Sequence, residues 1–237
     1  MKYLRNFLSL FFCLLMASSC ASNPEQLSSP WKSEHLKNGS VTFYAVYNEK
    51  NRNIAQERNH IFHEAGNIVL VREIIGAEEE ELFRLKLDKT NLSPVSLELV
   101  SSIEADQTIL LQGNKMNRAW IVENKKTQPA KLKQFYLGKD SVIEQEALVF
   151  LMAAFPFESM TSTSVRTLFS RKELDAEVFI ELLNPETIQI ADQNYECHTL
   201  HFTSLGITAW YMKEAPHLLV QSKKGAETTK LLSWNGI

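Results

Sequence analysis

The chain has 237 residues, of which 44% are hydrophobic and 22% are charged, and its formal net charge is −3. This composition can build a packed core and excludes a disordered chain, while the lack of a basic stripe argues against a nucleic-acid partner or a polybasic membrane contact. After an N-terminal segment, about two hundred residues remain, which suits one large domain because all-β units often reach that size undivided.

The N-terminal segment has the pattern of an export signal. Lys2 and Arg5 supply the positive start, Phe7–Met16 supply an apolar stretch, and small residues precede Cys20. This pattern resembles the lipobox of bacterial lipoproteins. The resemblance implies a signal peptide over residues 1–19, lipid attachment to the Cys20 sulfur, and anchoring to a membrane through acyl chains. The residue after Cys20 is Ala21 and not an aspartate. In this respect the segment resembles the signals of lipoproteins that are sorted to the outer membrane.

We therefore expect a lipid-anchored protein of the bacterial cell envelope, held at the outer membrane and facing the periplasm. Two alternatives stay open. The apolar stretch has about ten residues, whereas a spanning helix needs roughly 20, so a permanent transmembrane segment is the weaker one. An ordinary secretory peptide would leave Cys20 as a free thiol. With Cys13 removed and Cys20 acylated, Cys197 has no disulfide partner.

Residues 20–38 are predicted to be the lipidated cysteine and a flexible tether. The stretch from Ser22 to His35 is polar and contains two prolines, so it cannot offset the entropy of ordering. The domain is predicted to occupy residues 39–237.

The first half of the domain is predicted to be a series of strands. Apolar residues alternate along short segments, and Gly66, Gly76, Gly113 and Gly138 fall between them, where turns favour glycine. This regular spacing of glycines between short strands indicates an antiparallel meander. The predicted strands are Val41–Tyr47, Asn59–His63, Ile68–Ile75, Glu81–Leu87, Val95–Ser101, Thr108–Gln112, Ala119–Asn124 and Leu132–Tyr136.

A helix is predicted to interrupt the strands. Ser141 and Glu144 have the spacing of a capping box, and an apolar stretch, Ala147–Phe155, follows before Pro156 ends it. A helix that is apolar on every side and too short to span a bilayer must be enclosed by protein. We expect a curved sheet to enclose it.

A second series of strands follows the helix. Turns are predicted at Asn184-Pro185, Gly206, Ala215-Pro216 and Lys224-Gly225. The predicted strands are Ala176–Leu183, Thr187–Ala191, Tyr195–Thr203, Ile207–Lys213, His217–Ser222 and Glu227–Trp234.

Several scattered segments resemble a family of uncharacterised bacterial envelope domains, loosely similar in shape to the lipoprotein carriers LolA and LolB. The resemblance implies a mainly β domain in which a strongly curved antiparallel sheet, a half-barrel, wraps one apolar central helix. It implies no established activity. The matching segments, in chain order, are Tyr44-x-Val46, Leu92-Ser93-Pro94, Asp140, Phe155-Pro156, Ala209-Trp210-Tyr211, Pro216–Val220 and Leu231-Leu232.

Catalytic and metal-binding motifs are not found, so we expect a protein that is not an enzyme and has no cofactor or metal. His60 and His63 are three apart and would face opposite sides of a strand. Cys197 beside His198 invites a nucleophile interpretation, but a buried structural thiol is favoured. The acidic residues Glu78–Glu81 are interpreted as a solvated strand end rather than a calcium site.

Large aromatic residues are the remaining candidates for a site. They could line an apolar pocket between sheet and helix, although the same residues also fill ordinary cores. The candidates are Phe43, Trp120, Phe135, Phe150, Phe155, Phe157, Phe179 and Trp210.

Three functions are weighed from these observations, of which an enzyme is the least favoured because no catalytic constellation is found. The first is a lipid-anchored, non-enzymatic envelope protein that binds an apolar or acyl ligand within the curved sheet. The alternative is a structural lipoprotein that docks an envelope protein through its sheet. The expected partners are thus the membrane, through the acyl chains, and either a lipid-like ligand or a protein.

Overall fold

The computed structural model describes residues 31–77, 80–101, 106–112, 118–124, 131–136, 143–169, 172 and 174–235, with backbone only for the three segments between 106 and 136. These residues form fifteen strands and one α-helix. The strands are β1 (Val41–Tyr47), β2 (Asn53–Glu64), β3 (Asn67–Gly76), β4 (Glu80–Asp88), β5 (Pro94–Ser101), β6 (Asp106–Gln112), β7 (Arg118–Asn124), β8 (Lys131–Tyr136), β9 (Ile143–Glu144), β10 (Ser162–Phe169), β11 (Leu174–Ile190), β12 (Gln193–Phe202), β13 (Ile207–Met212), β14 (Leu219–Lys224) and β15 (Glu227–Asn235).

All described strands belong to one sheet. Its order is β8-β7-β6-β5-β4-β3-β2-β1-β15-β14-β13-β12-β11-β10-β9, so chain neighbours lie side by side, and the β1–β15 pair joins the two halves. Neighbouring strands are antiparallel, except that β9 is parallel to β10. The sheet curves into a nearly closed, barrel-like wall, which confirms the predicted mainly β fold with one short helix. Within the described residues, no helix has the length and apolar character needed to cross a membrane.

Alternation along the strands places the core on one face of the sheet. In β4, Phe83, Leu85 and Leu87 are buried, while the residues between them are more exposed. Leu85 lies opposite Leu70 of β3 and Leu97 of β5, so three buried leucines meet across neighbouring strands. Successive side chains of a strand point to opposite faces, and this pattern therefore assigns one face to the interior.

The helix α1 (Gln145–Leu151) fills the interior of the curved sheet. A 3-10 turn, Met152–Ala154, extends it, and the extended backbone begins at Phe155, directly before Pro156. Ala147, Leu148 and Leu151 are buried in the main core. The predicted start is wrong in one respect: Glu144 is the N-cap residue itself, since its carboxylate accepts a hydrogen bond from the Glu146 N–H. Ser141 lies outside the described residues.

The last part of the predicted tether belongs to the folded domain. The Lys32 N–H donates a hydrogen bond to the Ala154 carbonyl over 2.8 Å, and the Trp31 ring lies 6.2 Å from that of Phe155. Leu36 is 1% exposed. Residues 31–38 are mostly polar, but Trp31 and Leu36 pack on the core. The prediction that residues 20–38 form a flexible tether is therefore wrong for residues 31–38. Cys20 lies outside the described residues, and its lipidation stays a prediction.

The turn predicted at Asn184-Pro185 is wrong. β11 runs through these residues, and its register to β12 shifts between Leu183 and Glu186, which is a bulge. Proline lacks the N–H of a regular ladder but is tolerated at a bulge. The chain reverses at Ala191, where φ is 51°. β10 was not predicted, because polar residues interrupt its apolar pattern.

Candidate functional site

An apolar pocket lies beside the 3-10 end of α1, against the inner face of β1 and β2. Its volume is about 40 Å³. Two of its lining residues, Lys37 and Trp234, are exposed, so the pocket reaches the surface near them. We refer to this space as the apolar pocket. Its buried or half-buried lining includes Tyr44, Ile61, Leu70, Phe150, Ala153 and Leu219.

Two polar side chains of the apolar pocket, Tyr44 and Asn59, differ in whether their hydrogen-bonding groups have partners. The Tyr44 hydroxyl donates a hydrogen bond to the Leu219 carbonyl over 3.1 Å, and burial raises the pKa of Tyr44 well above its usual value, so the phenol stays neutral. Asn59 is 3% exposed and lines the same pocket. Its Nδ2 donates to Glu57 over 2.8 Å, but its Oδ1 has no hydrogen-bond partner among the described residues.

A buried ion-pair network lies behind Asn59. Arg72 of β3 donates from Nε to Glu57 Oε1 over 2.9 Å and from Nη2 to Glu57 Oε2 over 3.2 Å. Its Nη1 donates to the Glu146 carboxylate over 3.0 Å. Burial opposes the charge of Arg72, yet the two carboxylates raise its pKa above the usual value. Arg72 therefore ties β2, β3 and the start of α1 together as a permanent cation.

A second, polar space adjoins this network. It has a volume of about 240 Å³ and is lined by Glu57, Arg72, Glu146, Lys224 and Glu227 among others. Phe150 lines both spaces, and the Arg72 guanidinium lies 5.3 Å from the centre of its ring. The aromatic ring of Phe150 thus separates a charged space from the apolar pocket.

Three histidines and Phe157 form an aromatic cluster, and one of the histidines, His35, also lines the apolar pocket. His198 stacks on Phe157 at 4.3 Å between ring centroids, and His217 lies 5.0 Å from the same ring. His35 is 4.6 Å from His217. Since these histidines come from the N-terminal segment, β12 and the loop before β14, the cluster joins distant parts of the chain. No group of side chains in the described part of the chain is arranged to hold a metal ion.

We expect acid to destabilise the domain through this cluster. Burial and the neighbouring His217 lower the pKa values of His35 and His198 below the usual 6.5. The unfolded chain therefore binds more protons just below pH 6.5, and the stability present above that pH is lost as the pH falls through this window. The melting temperature measured from pH 7.5 to 5.0 should drop less steeply in His198→Phe than in the wild type. Equal slopes for His198→Phe and the wild type would contradict the expectation.

The structure brings together only some of the predicted aromatic residues. Phe150 lines the apolar pocket, and Phe155 and Phe157 are buried in the adjacent core. Phe43 and Phe179 face outward and are 40% and 46% exposed, so they lie away from the pocket. Trp210 belongs to a separate cluster with Ile188, Cys197 and Val220. Trp120 and Phe135 lie on β7 and β8, and their side chains are outside the described residues.

Cys197 and the histidine pair of β2 are structural in this geometry. Cys197 is fully buried, and burial raises the pKa of its thiol to about 12, which disfavours the thiolate needed for nucleophilic attack. His198, on the opposite face of β12, stacks on Phe157 instead. His63 contacts the Leu36 carbonyl through Nε2 at 2.9 Å, while the ring of His60 lies against that of Phe62.

Glu57, Asn59 and Arg72 were not predicted from the sequence as members of a site. Their positions carried a signal, because Glu57 and Asn59 share the parity of Ile61, and Arg72 shares that of Ile68 and Leu70. Polar residues in an inward-facing register require partners inside the protein. Which face of a strand points inward is decided by its pairing with neighbouring strands. The sequence of one strand alone does not show this.

Comparison with known proteins identifies the fold. A crystal structure of a β-barrel-like protein of the domain of unknown function DUF1849 from Brucella abortus superposes with a TM-score of 0.50 and 6% sequence identity, covering 84% of this chain and 97% of that chain. The chain is similar in fold to that barrel-like domain. At this identity the likeness concerns the fold alone.

Two further crystal structures are more distant. One is a protein from Bacteroides fragilis with a YmcC-like fold, provisionally described as exported, with a TM-score of 0.34, 7% identity and coverage of 84% of this chain and 97% of that one. The other, from Parabacteroides distasonis, is provisionally described as a lipoprotein, with a TM-score of 0.32, 9% identity and coverage of 88% and 99%. No protein-family model matches the sequence, and no curated protein matches it.

Proposed function

We propose that this protein is a lipid-anchored component of the bacterial envelope that binds an apolar ligand in the apolar pocket. The observation that carries the proposal is an apolar pocket between the barrel-like sheet and its central helix, which is a common place for ligands. The lipobox-like segment ending at Cys20 supports the anchor. The proposal includes no catalysed step, because the sequence has no catalytic motif.

The volume of the apolar pocket limits what it can hold. Its 40 Å³ exceeds the space of one water molecule, but drug-sized ligands occupy pockets of about 300 Å³ or more. A long acyl chain therefore does not fit entirely inside. We infer that the ligand inserts a short apolar end beside Ala153 and Phe150, with the remainder extending towards Trp234.

Filling the apolar pocket should abolish binding. Ala153 lines the pocket, so Ala153→Leu places three additional carbon atoms in the space that the ligand end would occupy. Ala176→Leu, the same exchange at an exposed position of β11, is the matched control. We expect lipids that copurify with the wild type and the Ala176 variant, measured by native mass spectrometry after purification from membranes, to be lost from the Ala153 variant. Failure of every protein to retain or bind an apolar molecule would refute the proposal.

The anchor is tested in the same preparations. Cells grown with labelled palmitate should incorporate the label into the wild-type protein and not into Cys20→Ala, since acylation requires the thiol. If the wild-type protein takes up no label and is released in soluble form, the lipid anchor is rejected. The N-terminal pattern would then be an ordinary secretory signal peptide.

Docking of an envelope protein is the second candidate, favoured by an exposed apolar row on the outer face. Ile54, Ile75, Leu82 and Val100 are all exposed on β2 to β5, and Leu82 lies directly opposite Val100. Exposed apolar patches often mark protein contacts. A stoichiometric protein crosslinked to these positions, together with no copurifying lipid, would favour docking over ligand binding.

A further inference from the structure

Residues 31–38, which we call the wall segment, form one side of the apolar pocket. His35, Leu36 and Lys37 line the pocket, and Leu36 is 1% exposed. The wall segment contains a 3-10 turn, Ser33–His35, but no strand, and it precedes β1 in the chain. Its displacement would therefore open the pocket without breaking any strand pairing of the sheet.

Polar contacts attach the wall segment to the rest of the domain. The Lys32 N–H donates to the Ala154 carbonyl over 2.8 Å, and Lys32 Nζ forms an exposed ion pair with Glu158, which water weakens. The Leu36 carbonyl lies 2.9 Å from His63 Nε2. An imidazole can donate from Nε2 whether it is neutral or protonated, so acid leaves this last contact intact. A pH-dependent change at the wall segment must come from other groups.

His35 of the wall segment packs against two histidines of the domain. Its ring centroid is 4.6 Å from that of His217, and the ring of His198 is 5.7 Å from that of His217. His217 is 3% exposed, and Phe157 packs against both His198 and His217. Little water reaches this space, so two protonated rings would repel each other more strongly than they do in bulk water. Movement of the wall segment removes His35 from this repulsion.

Other charged groups around these histidines have both signs. They lie on the wall segment itself, after α1 and after β13. The positive groups add to the repulsion of a protonated ring, and the negative groups oppose it. These groups are Lys32, Glu34, Glu158 and Lys213.

The sum of these effects disfavours protonation while the pocket is closed. Burial, followed by the charge of His217, lowers the pKa of His35 and of His198 below the usual 6.5. The Ala153 carbonyl, 3.3 Å from His35 Nδ1, and the nearby carboxylates favour the cation but do not reverse this direction. Displacement of the wall segment places His35 in water, so the open form binds more protons than the closed form. Opening is therefore favoured as the pH falls below 6.5.

We propose that the wall segment is a latch that packs on His198 and His217 at neutral pH, and that protonation of these histidines and His35 releases it in mild acid and opens the apolar pocket beside Leu36. The sheet stays folded during this change, because its strand pairs are formed without the wall segment. The inference does not depend on the proposed function. If the pocket holds a ligand, the same opening would release it as the pH falls.

Hydrogen exchange of the full chain, followed by mass spectrometry at pH 7.5 and 5.5, tests the latch. Rates are corrected for the intrinsic pH dependence of amide exchange. We expect peptides that cover residues 31–38 to exchange several-fold faster at pH 5.5, with an upper limit of about tenfold per pH unit for each histidine. Peptides from β4 should keep the same corrected rate, since local opening leaves the sheet paired.

Histidine variants identify the groups that respond to pH. His35→Phe keeps a ring against His217 but cannot take up a proton, so it should remove most of the pH dependence of the wall segment. His201→Phe is the matched control. His201 lies three residues after His198 on β12 and thus on the opposite face, where it contacts the Thr208 hydroxyl. This variant should keep the wild-type pH dependence of the wall segment.

The outcomes decide the inference without any ligand. Equal corrected exchange of the wall segment at both pH values would overturn it, and so would a pH dependence that His35→Phe and His198→Phe both leave unchanged. Loss of protection in β4 together with the wall segment would show global unfolding in place of a latch. If His35→Phe already exposes the wall segment at pH 7.5, His198→Phe decides. Failure of the Ala153→Leu test leaves these results intact, so the two proposals fail separately.

Discussion

Leu151→Asp is expected to unfold the domain. Leu151 lies on α1, is 1% exposed and belongs to the main core that the curved sheet encloses. A carboxylate placed there without a partner costs several kcal/mol, whereas a domain is stable by about 5 to 15 kcal/mol in total. Thermal melting followed by circular dichroism should show the loss or a large decrease of the cooperative transition.

A matched exchange on the surface is the control. Leu232 of β15 is 53% exposed, so Leu232→Asp places the same charge in water. Its effect on stability should stay within about 0.5 kcal/mol. Similar melting temperatures for Leu151→Asp and the wild type would show that α1 is not enclosed by the sheet, contrary to the structure.

Arg72→Met is expected to have the second largest effect. The methionine keeps much of the side-chain volume but removes the guanidinium that pairs with Glu57 and Glu146. Glu57, whose side chain is 2% exposed, would retain, among the described residues, the hydrogen bond from Asn59. Removing one partner of a buried pair costs about 3 to 5 kcal/mol, because the other charge stays buried. Urea denaturation measures the loss as a lower midpoint.

Arg58 provides the comparison on the same sheet. It forms an ion pair with Glu73 at 2.6 Å, but half of the arginine side chain is exposed to water. Exposed pairs contribute about 0 to 1 kcal/mol, so Arg58→Met should change the midpoint little. A second variant, Arg72→Met with Glu57→Gln, removes the buried charge and should recover part of the loss. Equal losses in Arg58→Met and Arg72→Met would show that burial of the network contributes nothing.

Local sequence patterns were sufficient to predict the main elements. The alternation in Glu81–Leu87, the uniformly apolar stretch after Ala147 and the stop at Pro156 depend on neighbouring residues alone, and the structure places β4 and α1 there. The core position of Phe155 was also within reach, because a helix that is apolar all round is expected to be covered on every side. Phe150 is only half-buried, since it borders the polar space.

Elements whose stability depends on pairing were predicted less well. β10 contains too many polar residues to be recognised as a strand, and it exists because β11 hydrogen-bonds along its whole length. Pro185 suggests a turn locally, but the register shift between β11 and β12 accommodates it. Trp31 and Leu36 had no periodic context, so their packing on the core could not be inferred.

The amino-acid sequence by itself determined that this chain folds mainly as β-strands around a buried helix, since those properties follow from the period and extent of its apolar residues. The tertiary structure alone decided which face of each strand points inward. Tyr44 faces the interior and Phe43 the solvent, although both are aromatic neighbours on β1. The reason is that β1 closes on β15, and closure selects the inner face, which brings Asn59, Glu57 and Arg72 together beside the apolar pocket.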